Sequence, residues 1–351
     1  MPRVQSTKPR RPRKIGLLRL NLKTLFRRDF RIFFMGFVLV VMTLAPILAG
    51  YGCKQKSPSS PENSPTSSPL PYFSPTPTWT STPMVDVVNV FGAYGTGQSQ
   101  FRNVWDVCVN SVDRVFVTDF GNCRVEEFDD AGNYLDAWGS GGYAPGMFSN
   151  PTGISTDSQG HIYVVDLANR LQKFTSIGGY ITEWGGTGPG NGELQEPYDV
   201  VVDHSDNVFV VDSGNSRLEK FDSNGNFMFS FNSQGSTFGQ FYYPNAVAFS
   251  ITGYLWVADG SNVLQMDVGG SYWSGFRTNG MGLSGIAVSS SGTIWVSQSS
   301  TEIEKYSPGG TLLGSCRVAG LSDPWGMAFD SAGCLFVADR YNSQIFKLRP
   351  R

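Results

Sequence analysis

From Val85 onward, apolar residues alternate with polar ones or run in short β-branched and aromatic stretches bounded by Gly, Asn, Asp or Ser. No helical apolar period lasts long enough to compete. The clearest stretch runs Pro197 to Asp203, Asn207 to Asp212, Arg217 to Asp222 and Phe227 to Phe231, which predicts four short strands. That unit of about 45 residues returns from Val104, Pro151, Pro197, Pro244, Leu283 and Pro324, with gaps of 47, 46, 47, 39 and 41. Fifteen residues after each start stand Asp119, Asp166, Asp212, Asp259, Gln298 and Asp339. A repeat of this length with four strands and no helix is a propeller blade. The turns Ser158-Gln159-Gly160, Ser331-Ala332-Gly333 and Asp222-Ser223-Asn224-Gly225-Asn226 supply the positive-φ positions that tight hairpins need.

The ends of the array predict how the ring closes. The sixth unit stops after its third strand, Ser343 to Leu348, whereas Val85 to Gly92 resembles the outer strands Tyr134 to Gly139 and Tyr180 to Gly185. An N-terminal strand that completes the last blade leaves no open sheet edge. The fold class expected is all-β: a closed six-bladed β-propeller over residues 85–351.

The motifs Pro-x-Gly-Ile/Val-x-x-Asp and Ile/Val-x-Val-x-Asp, with Gly121-Asn122-Cys123-Arg124 and Gly214-Asn215-Ser216-Arg217, resemble those of NHL-repeat proteins over the whole propeller. The fourth and fifth units depart from the pattern, with Val263 and Ile303 in place of the Arg and Gln298 in place of the fifth Asp. The resemblance speaks for the fold rather than for an activity, because propellers host many unrelated functions.

Residues 1–53 form a different region. Eleven Lys or Arg crowd residues 1–31, against one Asp29, and residues 32–52 are uncharged and mostly apolar. A basic lead, an apolar run and small residues before Cys53 predict an export signal, with the rest of the chain placed outside. Ala49-Gly50-Tyr51-Gly52-Cys53 resembles a bacterial lipobox, in which Cys53 is acylated; Gly50 and Tyr51 depart from that pattern. An uncleaved signal anchor is the alternative, since the apolar run is long enough to span a bilayer. Arg27-Arg28 resembles a twin-arginine signal but is unremarkable in so basic a lead. In residues 54–83, 21 of 30 positions are Pro, Ser or Thr, which cannot bury a core; residues 54–84 are therefore expected to be a disordered linker.

The net charge of −2 conceals a split: the first 83 residues carry +11 and the propeller −13. A surface so acidic repels phosphates, so nucleic acid is not an expected partner. Cys108, Cys123, Cys316 and Cys334 lack zinc spacing and are expected as free thiols, with Cys108 in packing. Only His161 and His204 exist, both near turns between first and second strands, so a channel metal held by several His is not expected. Neither metal nor cofactor is expected.

The repeated Asp, present in five blades of six, serves what every blade does and is read as a structural acceptor; Arg124, Arg170 and Arg217 are read as ties between segments. Gly185 to Gly192 is a blade connection and not a phosphate loop, because a strand follows it instead of a helix. The turn from Asp222 to Asn226 lacks the closing Glu of a calcium loop.

Function in a symmetric scaffold is expected where the repeats differ. The residue after each start reads Trp105, Thr152, Tyr198, Asn245, Ser284 and Trp325, at the mouth of the channel. Asp106 and Asp199 follow two of them, and Phe120, Arg340 and Tyr341 lie in second-to-third-strand loops on the same face. Such an aromatic, acidic funnel suits a sugar, a peptide or a cationic ligand; alternatively, the aromatics only plug the channel. The expected protein is an exported, membrane-tethered, monomeric propeller that binds a protein, peptide or carbohydrate in a bacterial envelope. The alternative is an enzyme of the lactonase or lyase type, as found among related propellers, acting at the same mouth.

Overall fold

A computed structural model describes residues 84–231, 240–280, 282–299 and 301–351. The signal segment, Cys53 and most of the linker lie outside the described residues. Six four-stranded antiparallel sheets form a ring, each ordered from an inner strand at the channel to an outer strand at the rim. The inner strands are Val104–Val109, Pro151–Thr156, Pro197–Val202, Pro244–Phe249, Leu283–Val288 and Pro324–Phe329. These begin at the six unit starts expected from the sequence. The sixth sheet takes its outer strand from the other end of the chain: Val85–Phe91 pairs antiparallel with Gln344–Pro350, from Val85 opposite Pro350 to Phe91 opposite Ile345. The six-bladed, closed, all-β fold is as expected.

Side chains of adjacent blades interlock. Near the end of five outer strands an aromatic ring lies over the hairpin glycine of the next blade: Phe91 on Gly132, Trp138 on Gly178, Trp184 on Gly225, Phe231 on Gly270 and Phe276 on Gly310. A Cβ on any of these glycines would come within 2.5–2.8 Å of the ring, and all five have positive φ, so both space and conformation demand glycine. Lys173, Lys220 and Lys347 reach in the same direction, their ammonium groups donating to Ser223 O at 3.1 Å, Val268 O at 3.0 Å and Asp130 O at 3.1 Å in the following blade.

Closer to the axis, side chains tie each blade to the inner strand of the next. Thr118 donates to Thr152 O at 2.7 Å, Thr152 to Pro197 O at 2.8 Å, Ser213 to Pro244 O at 2.7 Å, Asn245 to Leu283 O at 2.8 Å and Ser297 to Trp325 O at 3.0 Å.

The repeated Asp does what its recurrence suggested, with one addition. Besides accepting turn N–H groups, as from Ala168 to Asp166 at 3.0 Å, it accepts from the blade-to-blade connection 16 or 17 residues upstream. Arg102 N donates to Asp119, Ser149 N to Asp166, Gln195 N to Asp212, Tyr243 N to Asp259 and Asp323 N to Asp339. Arg124, Arg170 and Arg217 pair with the Asp of their own blade and donate to connection carbonyls; Arg217 reaches Pro189, Gly190 and Glu193. These arginines are ties, as expected. The Asp222 carboxylate is occupied by Asn224 and Asn226 of its own hairpin. All four described cysteines are free, with Cys108 and Cys334 buried.

Candidate functional site

Each inner strand carries a register irregularity within its first four residues, between Val104 and Val107 in the first blade and between Pro197 and Asp199 in the third. This bulge turns two consecutive side chains away from simple alternation. The first stays at the channel mouth, on the face of the blade connections; the second turns down into the channel.

At the mouth the expected aromatics converge. Trp105 stacks on Phe120, with centroids 4.9 Å apart and planes 18° apart, and meets Trp325 at 4.4 Å and the edge of Tyr198 at 5.5 Å. Tyr198 extends the group to Tyr243, their rings 6.0 Å apart and their hydroxyls 3.0 Å apart. That hydroxyl contact, after burial, pushes the Tyr198 phenol up from its ordinary value. The Arg340 guanidinium lies 4.1 Å from the Trp325 centroid and 5.7 Å from that of Trp105. Asp323 holds it there, accepting from Arg340 Nε at 2.8 Å and from Trp325 Nε1 at 3.2 Å. Tyr341, expected on this face, is the most exposed of these rings at 79 %, and Tyr242 and Tyr243 stand in the connection before the fourth blade, also exposed. The residual void among the rings is only about 10 Å³. The rings of the mouth thus form an aromatic platform with little space between them.

The two acids do not share that surface. Asp106 accepts from its neighbour Val107 N at 2.8 Å and, across the blade gap, from Ile154 N at 3.0 Å. Asp199 does the same with Val200 N at 2.7 Å and Val247 N at 2.8 Å. The carboxyls of blades one and three hydrogen-bond to each other. Blade two permits this because it has Gly153 at the equivalent place, where a Cβ would collide with the Asp199 backbone; Gly326 makes the same room for Asp106. Burial holds both carboxyls well above the usual carboxylate range, and their mutual repulsion raises Asp199 further. Both acids lie beneath the rings, lining the small void there, and are engaged with backbone N–H groups.

Below the pair the channel widens into a cavity of about 240 Å³, walled by the six inner strands. Its far end is ringed by Val109, Phe249, Val288 and Phe329, which regain partial exposure on the face of the first-to-second-strand turns. His204 is exposed on that face, and its ring lies 4.9 Å from that of Phe249, closer to the channel rim than its turn position suggested. His161 is held by Asp157, Nδ1 to Oδ2 at 2.8 Å, at the turn between the first and second strands of its blade. Among the described residues no three His, Cys, Asp or Glu side chains are grouped to hold a metal ion.

Sequence reasoning missed Tyr242, Tyr243 and Asp323 at the mouth and Gly153 beneath it. The signal for Gly153 was legible, since the third residue of each unit reads Asp106, Gly153, Asp199, Ala246, Gly285 and Gly326. Acids separated by a single small residue are placed to meet.

A family model described as NHL repeat matches residues 321–348, which span the sixth inner strand and its two neighbours toward the rim. No curated protein sequence matches the chain. Among solved structures, a streptogramin B lyase is similar at 14% identity, covering 75% of this chain and 98% of its own, with a TM-score of 0.56. Virginiamycin B lyase from Staphylococcus aureus is similar at 13% identity, covering 76% of this chain and 100% of its own, with a TM-score of 0.55. XC5397 from Xanthomonas campestris, a gluconolactonase, is similar at 15% identity, covering 77% and 98%, with a TM-score of 0.56. At these identities the likeness is one of fold. The chain is thus a six-bladed propeller in which residues 321–348 match the NHL-repeat model.

Proposed function

We propose that this chain is an exported, membrane-tethered binding module whose working surface is the aromatic platform at the channel mouth. The observation that carries this reading is the convergence of Trp105, Phe120, Tyr198 and Trp325 at the channel mouth, at positions where the blades differ. Aromatic rings presented to solvent with polar tips suit a partner that stacks, and truncating a buried aromatic anchor costs about 2 kcal/mol or more of binding. In binding of full-length protein to isolated envelope polysaccharide, Trp105→Ala and Trp325→Ala are expected to weaken affinity by about tenfold or more. His204→Ala, on the opposite face, is expected to change little. Binding indifferent to both Trp substitutions would reduce the platform to a plug.

The tether reading rests on the basic lead, the apolar run and the lipobox-like Cys53. Cys53→Ser is expected to abolish fatty-acid labelling and signal processing. An unmutated protein that is unlabelled and retains residues 1–52 would make the segment a signal anchor.

A second reading, an enzyme of the lactonase or lyase type, is favoured by the cavity with a carboxyl pair at its inner end. Lactone hydrolysis lost in Asp199→Asn but retained in Trp105→Ala would move the function from the platform into the channel.

A further inference from the structure

Arg340 breaks the repeat in a way the scaffold does not explain. Its position, one after the repeated Asp, holds Phe120, Leu167, Ser213, Gly260 and Ser299 in the other blades. The structural Arg124 and Arg217 stand four residues further on and Arg170 three, at the strand start where the sixth blade has Gln344. Those arginines spend their terminal nitrogens on connection carbonyls: both of Arg217 are so used, at 2.6–2.8 Å. Arg340 differs. Its Nε is fixed by Asp323 and its plane lies over Trp325, but its two terminal nitrogens make no hydrogen bond among the described residues. The side chain keeps 30% exposure. A guanidinium held rigid by a carboxylate and an indole, with its terminal fork left open to solvent, is ready to receive a planar anion.

We propose that the platform recognises a saccharide bearing a carboxylate, the sugar ring lying on the aromatic surface beside Tyr341 and its carboxylate on the open fork of Arg340. This rests on the platform being the binding face. Three observations narrow the class. A cation is disfavoured, because Arg340 already occupies the cation–π position over Trp325. A peptide anchored by an inserted side chain is disfavoured, because the void of about 10 Å³ between the rings admits none. A flat ring that stacks without inserting fits the surface, and a planar carboxylate can take both N–H groups of the open guanidinium edge at once. The acidity of the whole propeller works against a long polyanion, but at physiological salt charges more than about 8 Å away are largely screened. Short oligosaccharides are thus the appropriate probe.

The test is calorimetric titration of the full-length protein in detergent with trigalacturonate, its methyl ester and a sulfated oligosaccharide of equal length. The acid is expected to bind about tenfold or more tightly than the ester. Arg340→Gln is expected to erase that difference by lowering the acid to the level of the ester, and Arg340→Lys to restore only part of it. Equal binding of acid and ester, both lost in Trp105→Ala, would overturn the carboxylate inference and leave the platform as the binding face. Tighter binding of the sulfated sugar would overturn it as well. Binding of the acid that survives Trp105→Ala and Trp325→Ala would overturn both readings. If trigalacturonate does not bind while envelope polysaccharide still binds through Trp105, the carboxylate inference alone fails.

Discussion

Deleting residues 84–92 is expected to abolish the stable monomeric propeller. The segment supplies the whole outer strand of the sixth blade, pairing along Gln344–Pro350. Val85 is buried in the cluster shared by blades five and six, and Phe91 packs on Phe128 of the first blade at 4.9 Å and over Gly132. Losing two such side chains costs about 2 kcal/mol each, before the ladder hydrogen bonds are counted. Total stabilities are only about 5–15 kcal/mol. The strand Gln344–Pro350 would also become an unpaired edge with apolar neighbours, a template for pairing with other chains. Size-exclusion chromatography and thermal unfolding should show aggregation and a much lower transition. A deletion variant as monomeric and as stable as the parent would show that the ring does not close through this strand.

The second large effect concerns the carboxyl pair. Asp199→Ala removes the acceptor for the Val200 and Val247 N–H groups, and a buried donor left unsatisfied costs about 1–3 kcal/mol. A loss of several kcal/mol in denaturant unfolding is expected, with blades three and four loosened at the axis. The pair also predicts a pH dependence. Both carboxyls are raised in the folded state by burial, so the folded protein holds protons that the unfolded chain releases. Their contribution is complete below the ordinary Asp value near 3.8 and is lost as pH rises through the elevated folded values. Cys108 is the only other ionisable side chain in the cavity wall, and burial with the two acids pushes its thiol up, so it stays neutral through that window. Asp106→Asn with Asp199→Asn should flatten the fall in stability between about pH 5 and pH 8, measured as unfolding midpoints. An unchanged slope would mean that the pair does not share a proton.

The ring and its closure were legible because they depend on period and spacing. Six starts at nearly constant intervals fix six blades, and a missing outer strand at one end matches a surplus strand at the other. The structural roles of Asp212 and Arg217 were legible for the same reason, since a residue needed in nearly every blade serves the blade. The orientation of Asp106 and Asp199 was not. Alternation assigns neighbouring residues to opposite sides of a strand, but the bulge opening each inner strand breaks that rule at the two residues in question. The pairing of these acids across blade two depends on Gly153, a contact between residues of three different repeats. Trp105, Trp325 and Tyr198 were placed together because breaks in symmetry are visible in an alignment of a chain with itself. Tyr243 and Asp323 escaped notice because they lie in connections whose lengths differ between blades, where no repeat frame assigns positions.

The most direct test of the account is hydroxyl-radical footprinting of the full-length protein with and without isolated envelope polysaccharide, read residue by residue by mass spectrometry. Protection is expected at Trp105, Trp325, Tyr341 and Tyr243, with Trp273 on an outer strand and His204 on the opposite face unchanged. Protection of Trp273 or His204, with the four mouth residues as reactive as in the unbound protein, would contradict the assignment of the aromatic platform as the working surface.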